Sequence, residues 1–269
     1  MSKIALVTGV TRGIGKAIAE RFLREGYIVH GTYFTSESKG RELQQLYGAD
    51  KLFLHGPYDF CDPVQTQRLV EELSAFTFDA VVPSAGMFYV DAEGNGWDDF
   101  NDFNLDIFNK TMNCNFYAPL IITTGLIKNI NDGGSIVIMS SNDAFPGAYA
   151  SMSYSISKSA VISLMKCLAV NYGTKKVRVN AVAPGAIDTD MNTTEQMEIS
   201  PYFTPISRVG TPNDVAKAVF FLASDEASFI NGETVTIDGG YNIVSILLKS
   251  EADTPLSENI REFIKERTK

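Results

Sequence analysis

The chain has 269 residues, 45% of them apolar, enough for one large hydrophobic core and too few for two independent ones. Its 32 acidic residues outnumber 23 lysines and arginines, and a net charge of −9 repels phosphate backbones, so nucleic acid is not an expected partner. The three cysteines, Cys61, Cys114 and Cys167, are widely spaced, with no C-x-x-C pair and no nearby histidine, so no metal site is expected and a reducing, cytoplasmic setting fits.

In chain order, Ile4-Ala5-Leu6-Val7 opens an apolar run that Thr8 and Gly9 end far short of a signal-peptide core or membrane span, so no membrane association is expected. Similar β-rich runs follow at 28–33, 51–54, 80–83, 135–140, 177–182 and 233–237, which predicts seven strands. Between them, stretches such as 15–24, 63–76, 153–172 and 213–223 carry apolar residues at helical spacing. This alternation predicts an α/β fold, a doubly wound parallel sheet with helices on both faces. Two segments break the rhythm. From Met87 to Asp106 lie six carboxylates and no basic residue, which reads as a long acidic loop. After Gly239-Gly240 the chain continues as an extension, 242–269, with a helix start at Thr254-Pro255 and Leu256, Ile260, Phe263 and Ile264 on one face. That stripe predicts docking on the fold, 1–241, or on a neighbouring subunit. His30 in the second strand and His55 after the third read as structural or exposed rather than catalytic.

The turn after the first strand, TGVTRGIG at 8–15, is informative. Gly9, Gly13 and Gly15 remove Cβ atoms where a strand turns into a helix, which lets backbone N–H groups and the positive helix end approach a pyrophosphate. A merely connecting turn is the plain alternative. Thr8, Gly9, Gly13, Ile14 and Gly15, with Thr11 and Arg12 between them, resemble the T-G-x-x-x-G-I-G turn of the short-chain dehydrogenase/reductase family, and the resemblance extends from about residue 2 to residue 241. Asp59-Phe60 matches that family's Asp plus apolar pair, which implies an adenine contact. Ala85-Gly86 ends the element that reads N-N-A-G in the family; here Pro83-Ser84 replaces both asparagines, which puts cofactor geometry in doubt without removing the site. Tyr154 and Lys158 match Y-x-x-x-K, Ser141 stands thirteen residues before the tyrosine, and Asn115 in NFYAPL matches the family asparagine, with Asn113 its rival. Pro184, Gly185, Ile187 and Thr189 resemble the nicotinamide-side loop, where Ile187 by its backbone and Thr189 by its hydroxyl would bond the carboxamide.

The resemblance implies a single-domain Rossmann fold and an NAD(P)-dependent oxidoreductase in which Asn115, Ser141, Tyr154 and Lys158 are catalytic. Tyr154 and Lys158, four apart on a helix, share a face, and a nearby cation can lower a phenol pKa of about 10 by roughly 1 to 3 units. Lys158 would also bond the nicotinamide ribose, Ser141 would hold the substrate oxygen, and Asn115 would join a water relay. Tyr33 stands where NAD enzymes place a ribose-binding carboxylate, and Arg12 matches a basic residue of NADP-dependent members, with Thr35 and Ser36 as further donors; NADP(H) is therefore expected over NAD(H). A small carbonyl or secondary alcohol is the expected substrate. The alternative is a 3-oxoacyl-acyl-carrier-protein reductase, for which Lys175 would be the cation facing an acidic carrier, while Asp132 and the acidic loop oppose it. A non-catalytic nucleotide sensor or scaffold is a third reading. The family resemblance also implies a homo-oligomer, tetramer or dimer, with Phe220, Phe221, Leu222, Ile156, Val161 and Leu164 as interface candidates that serve equally as core.

Overall fold

The computed structural model describes residues 2–89, 103–147 and 151–244. Seven strands, β1 (Ile4–Val7), β2 (Ile28–Thr32), β3 (Leu52–His55), β4 (Phe78–Val82), β5 (Ile130–Met139), β6 (Arg178–Pro184) and β7 (Thr234–Ile237), form one sheet in the order 3-2-1-4-5-6-7. Every ladder is parallel, so each connection crosses over a face. The crossovers contain α1 (Gly13–Arg24), α2 (Glu37–Tyr47), α3 (Pro63–Leu73), α4 (Leu105–Met112), α5 (Ala118–Gly125), α6 (Met152–Tyr172), α7 (Thr194–Phe203) and α8 (Pro212–Ala223).

Strand alternation splits the apolar residues into two cores. Ala5, Val7, Val29, Val82, Val137 and Val182 meet Ile18 and Phe22 of α1 and Val215, Val219 and Leu222 of α8. Leu6, Val81, Ile136, Ile138 and Val179 meet Leu69 and Leu73 of α3, Ile122 of α5 and Val161 and Met165 of α6 on the other face. Both faces are covered, which is why these strands read as near-continuous apolar runs. Sequence order reverses between β1 and β4, and this switch point opens a crevice at the carboxyl ends of the strands.

The strands match the expected runs with shifted ends: β5 begins at Ile130 rather than Ser135, and β6 continues to Pro184. The acidic segment closes in α4, where Asn104 caps the helix and Asp106 pairs with Lys110 at 2.8 Å. Residues 90–102 of that segment and the expected tail helix lie outside the described residues. Of the interface candidates, Val161, Leu164 and Leu222 are buried core, and Phe220 packs edge-on against Phe22 and Tyr27. Only Ile156 and Phe221 are exposed. Among the described residues no helix is long and apolar enough to cross a membrane, and no group of three or more His, Cys, Asp or Glu is placed to hold a metal.

Both histidines are buried, joined in one chain behind the crevice. His30 is stacked on Phe53 and edge-on to Phe78, and its Nδ1 lies 3.0 Å from Nε2 of His55. His55 Nδ1 reaches Glu72 Oε1 at 2.5 Å, and the second Glu72 oxygen accepts from the Tyr58 hydroxyl. Burial, with the neighbouring His55, pushes His30 down to about 4. Burial alone would raise Glu72, but hydrogen bonds from Tyr58 and His55 outweigh it and hold the carboxyl below its ordinary range. An unfolded histidine titrates near 6.5, so between that value and about 4 the unfolded chain holds more protons, and stability falls as pH drops through this window. At full development the loss is of order 3 kcal/mol. Urea unfolding between pH 7 and pH 4 checks this: the wild-type midpoint should fall steadily, whereas His30→Gln, which takes up no proton, should begin lower and show a flatter slope. Parallel slopes would remove His30 from the account.

Candidate active site

Every element of the crevice lies at a strand's carboxyl end, and threonine hydroxyls hold three of those ends together. Thr8 Oγ1 accepts from Ala85 N at 2.8 Å, and Thr32 Oγ1 accepts from Gly9 N at 3.1 Å. Gly9 has φ +74°, and Ala85 would lie 3.3 Å from a Cβ placed there. A Cβ on Gly15 would stand 2.2 Å from the Gly9 carbonyl oxygen, so no other residue fits. Arg12, the residue before α1, is extended and gives no side-chain cap, which leaves first-turn N–H groups facing out of the turn. This cradle fits a dinucleotide pyrophosphate at the switch point.

The remaining expected cofactor residues surround that turn. Ile14 packs against the first core. Arg12 is exposed, with its guanidinium 3.8 Å from Asp190, in the segment that follows Thr189. Thr189 lies against Gly13, 3.4 Å from where a Cβ would stand, and its hydroxyl donates to the Ile187 carbonyl at 3.4 Å. Asn192 donates to the same carbonyl at 2.6 Å. Pro184 ends β6, and Gly185 N donates to Ile237 O at 3.0 Å. Tyr33 is buried and its hydroxyl donates to Gly56 O at 3.3 Å, so it secures the turn after β3 instead of presenting a free hydroxyl. Asp59 accepts from Cys61 N at 2.9 Å, and the Phe60 ring belongs to the second core, so the Phe60 backbone is what it offers to the crevice.

Across the crevice, α6 carries Tyr154 and Lys158 on one face, with Lys158 Nζ 5.6 Å from the Tyr154 ring centre. Serines fix α6 against the end of β5. Ser140 donates to Lys158 O at 2.8 Å, Ser155 to Asp143 O at 2.6 Å and Ser159 to Ala144 O at 2.8 Å. Lys158 Nζ donates to Met139 O at 3.1 Å. Ser141, the first residue beyond this staple, accepts from Asp143 N at 3.2 Å and lies within hydrogen-bonding reach of the Tyr154 phenol.

Asn115 sits in a π-helical turn, Asn113–Tyr117, between α4 and α5. Its side chain is fully engaged: Oδ1 accepts from Met87 N at 2.9 Å, and Nδ2 donates to Met87 O at 2.9 Å and to Ser157 Oγ at 3.1 Å. Asn113 turns away and donates to Cys61 O at 2.9 Å. Asn115 and Lys158 converge on Gly86, where a Cβ would meet Asn115 Oδ1 at 3.2 Å and Lys158 Nζ at 3.4 Å. Asn115, Ser141, Tyr154, Lys158 and Gly86 are therefore neighbours along one wall of the crevice.

The electrostatics correct one expectation. Lys158 does not draw the Tyr154 phenol down: burial, reinforced by Asp143 and opposed by Ser141, pushes it up to about 12. Burial also pushes Lys158 down to about 8. Phe88 lies edge-on to the Tyr154 ring at 5.1 Å and contributes to that dry setting. Several residues here escaped sequence reasoning. The alternating serines at 155, 157 and 159 were a readable signal on a helix already flanked by Tyr154 and Lys158. Phe88, Asp143 and Asn242, which donates to Asn142 O at 3.3 Å, had none. Among the described residues, Ser84 Oγ is buried without a partner in the segment that lacks the two asparagines.

Comparison with known proteins agrees with this geometry. A family model described as enoyl-(acyl carrier protein) reductase matches residues 9–242. Versicolorin reductase stcU of Emericella nidulans is 34% identical over 259 residues, covering 88% of this chain and 95% of that protein. A crystal structure of a short-chain dehydrogenase from Burkholderia cenocepacia J2315 in complex with NADP is similar at TM-score 0.80 and 33% identity, covering 89% of this chain and 98% of that one. A blue fluorescent protein from a metagenomic library, in complex with NADPH, is similar at TM-score 0.78 and 29% identity over 89% of this chain and 97% of that one. With its glycine turn, its Ser141, Tyr154 and Lys158 and these relatives, the chain belongs to the short-chain dehydrogenase/reductase family.

Proposed function

We propose that this protein is an NADP(H)-dependent oxidoreductase acting on a small carbonyl or secondary alcohol, with Tyr154 as general acid and base. The observation that carries it is the convergence of Ser141, Tyr154 and Lys158 at the end of β5. Bound in the crevice, the nicotinamide supplies or accepts hydride. Tyr154 is protonated at neutral pH and donates from Oη to the carbonyl oxygen as negative charge develops there. Ser141 donates its hydroxyl to the same oxygen. The Lys158 ammonium, held by the Met139 carbonyl, is the donor offered to the nicotinamide ribose. Asn115 braces Met87 and Ser157, and so acts as a positioning residue through its side chain. Gly9, Thr11, Gly13 and Gly15 cradle the pyrophosphate, Asp59 and Phe60 the adenine, Ile187 and Thr189 the carboxamide, and Arg12 the 2′-phosphate.

An acyl carrier protein is disfavoured as the substrate carrier. Lys175, the expected docking cation, stacks on Tyr172 just before β6, at the amino ends of the strands and on the rim opposite the site. Arg12 and Arg208 on the site rim are each paired, with Asp190 and Asp214. Free thiols support a reducing, cytoplasmic setting, and exposed Ile156, Val170 and Phe221 offer apolar surface for self-association into a dimer or tetramer.

NADPH oxidation with a panel of ketones tests the reading. Tyr154→Phe should lower kcat by about 100-fold or more while NADPH binding, followed by fluorescence, is nearly unchanged. Retention of more than a tenth of the wild-type rate would sink Tyr154 as the acid, and NADPH binding by wild type without turnover of any ketone would favour a sensor.

Acidity supplies a second check. Because Lys158 titrates near 8 and is needed charged, kcat/KM for NADPH should fall as pH rises through that value. A flat profile to pH 9.5 would mean that the ammonium charge is not used.

For cofactor choice, Arg12→Ala should weaken NADPH by about five- to tenfold, of order 1 kcal/mol, with NADH little affected. Equal losses for the two cofactors would reduce Arg12 to a turn residue.

A further inference from the structure

Arg12 and Asp190, far apart in sequence, meet beside the first turn of α1. Arg12 Nη1 lies 3.8 Å from Asp190 Oδ2, and both side chains are 69% exposed. The contact is ionic without being a hydrogen bond, so it yields readily to a better partner. The two residues are held differently. Asp190 stands on a fixed segment: Asp188 N donates to Gly210 O at 2.9 Å, Asn192 N to Thr189 O at 3.1 Å and Asn192 Nδ2 to Ile187 O at 2.6 Å. Thr189 is seated against Gly13. Arg12 gives no side-chain cap to α1, and Asp190 is the one ionic partner of its guanidinium among the described residues. A long, hydrated side chain can turn to another anion, whereas the Asp190 backbone stays with its segment.

We propose that Asp190 is a specificity-determining residue: it competes with the cofactor 2′-phosphate for the Arg12 guanidinium and so limits the preference for NADPH over NADH. This competition rests on the assignment of Arg12 to the 2′-phosphate. A guanidinium turned to the Asp190 carboxylate is not available to a phosphate, and only the fraction of molecules with Arg12 free binds NADPH at full strength. For an exposed pair that fraction is roughly a fifth to a half, so the apparent affinity is lowered about two- to fivefold. NADH carries no 2′-phosphate and is indifferent to where Arg12 turns. Specificity is a difference of two affinities, and Asp190 acts on one of them. Asp188 provides an internal comparison, because it lines the same cavity beside Gly13 and Lys16 and carries the same charge, yet forms no ion pair among the described residues.

Fluorescence titration of NADPH and NADH into wild type, Asp190→Asn, Arg12→Ala, the double variant and Asp188→Asn tests the proposal. Asp190→Asn should tighten NADPH about two- to fivefold and leave NADH unchanged. In the Arg12→Ala background the same substitution should bring no gain, because the contested group is gone. Asp188→Asn should bring no gain that is selective for NADPH. The competition is overturned if Asp190→Asn leaves NADPH binding unchanged or weakens it, which would make Asp190 a support for Arg12. Equal gains for NADPH and NADH, a gain that survives without Arg12, or the same selective gain from Asp188→Asn would also overturn it, since each points to the general field of the carboxylates. A failure of the cofactor reading looks different: Arg12→Ala alone would then weaken both cofactors equally or neither, and the competition would fall with the Arg12 assignment.

Discussion

Two threonine hydroxyls set the spacing on which the rest of the crevice depends. Thr8 at the end of β1 receives the Ala85 N–H from the segment after β4, and Thr32 at the end of β2 receives the Gly9 N–H. The bonds join three neighbouring strands where sequence order reverses and backbone ladders have ended, so side chains must satisfy these amides. With that spacing in place, Gly9 and Ala85 touch, and only glycine at 15 lets α1 begin directly beneath the turn. A bulkier residue at any of these positions would push the helix end away from the crevice.

The opposite wall is held by a different kind of restraint. Hydroxyls from Ser140, Ser155 and Ser159 tie α6 to the end of β5 and the loop that follows it, so the rotation of α6 about its own axis is fixed from several heights. That rotation aims Tyr154 and Lys158. Their environment then divides the protons between them, since desolvation favours the neutral form of each and thus keeps the phenol protonated while weakening the hold of the amine on its own. At neutral pH both groups hold their protons, and Lys158 is the easier of the two to deprotonate.

Much of the fold was legible because its signals are local. The turn at 8–15 follows an apolar run, and its glycines sit where sterics require them; Tyr154 and Lys158 are one helical turn apart, and their shared face follows from spacing alone. What escaped is non-local. His30, His55 and Glu72 lie on three elements and are brought together only by the pairing of β2 with β3 and the packing of α3. Val161, Leu164 and Leu222 carry an apolar pattern that is the same for a subunit interface as for a core, and only the position of the sheet assigns them to the core. The acidity of Tyr154 was misjudged because spacing predicts a neighbouring cation but not the dry surroundings that Phe88 helps to make.

Asp238, just beyond β7, accepts from the backbone N–H groups of Gly240 and Asn242, and this small loop delivers the Asn242 amide to the carbonyl of Asn142, next to Ser141. Lys3 lies before β1 on the opposite rim of the sheet, where it pairs with Asp225 at 2.9 Å. Shortening the chain to Tyr241 severs a strut of the loop that carries Ser141.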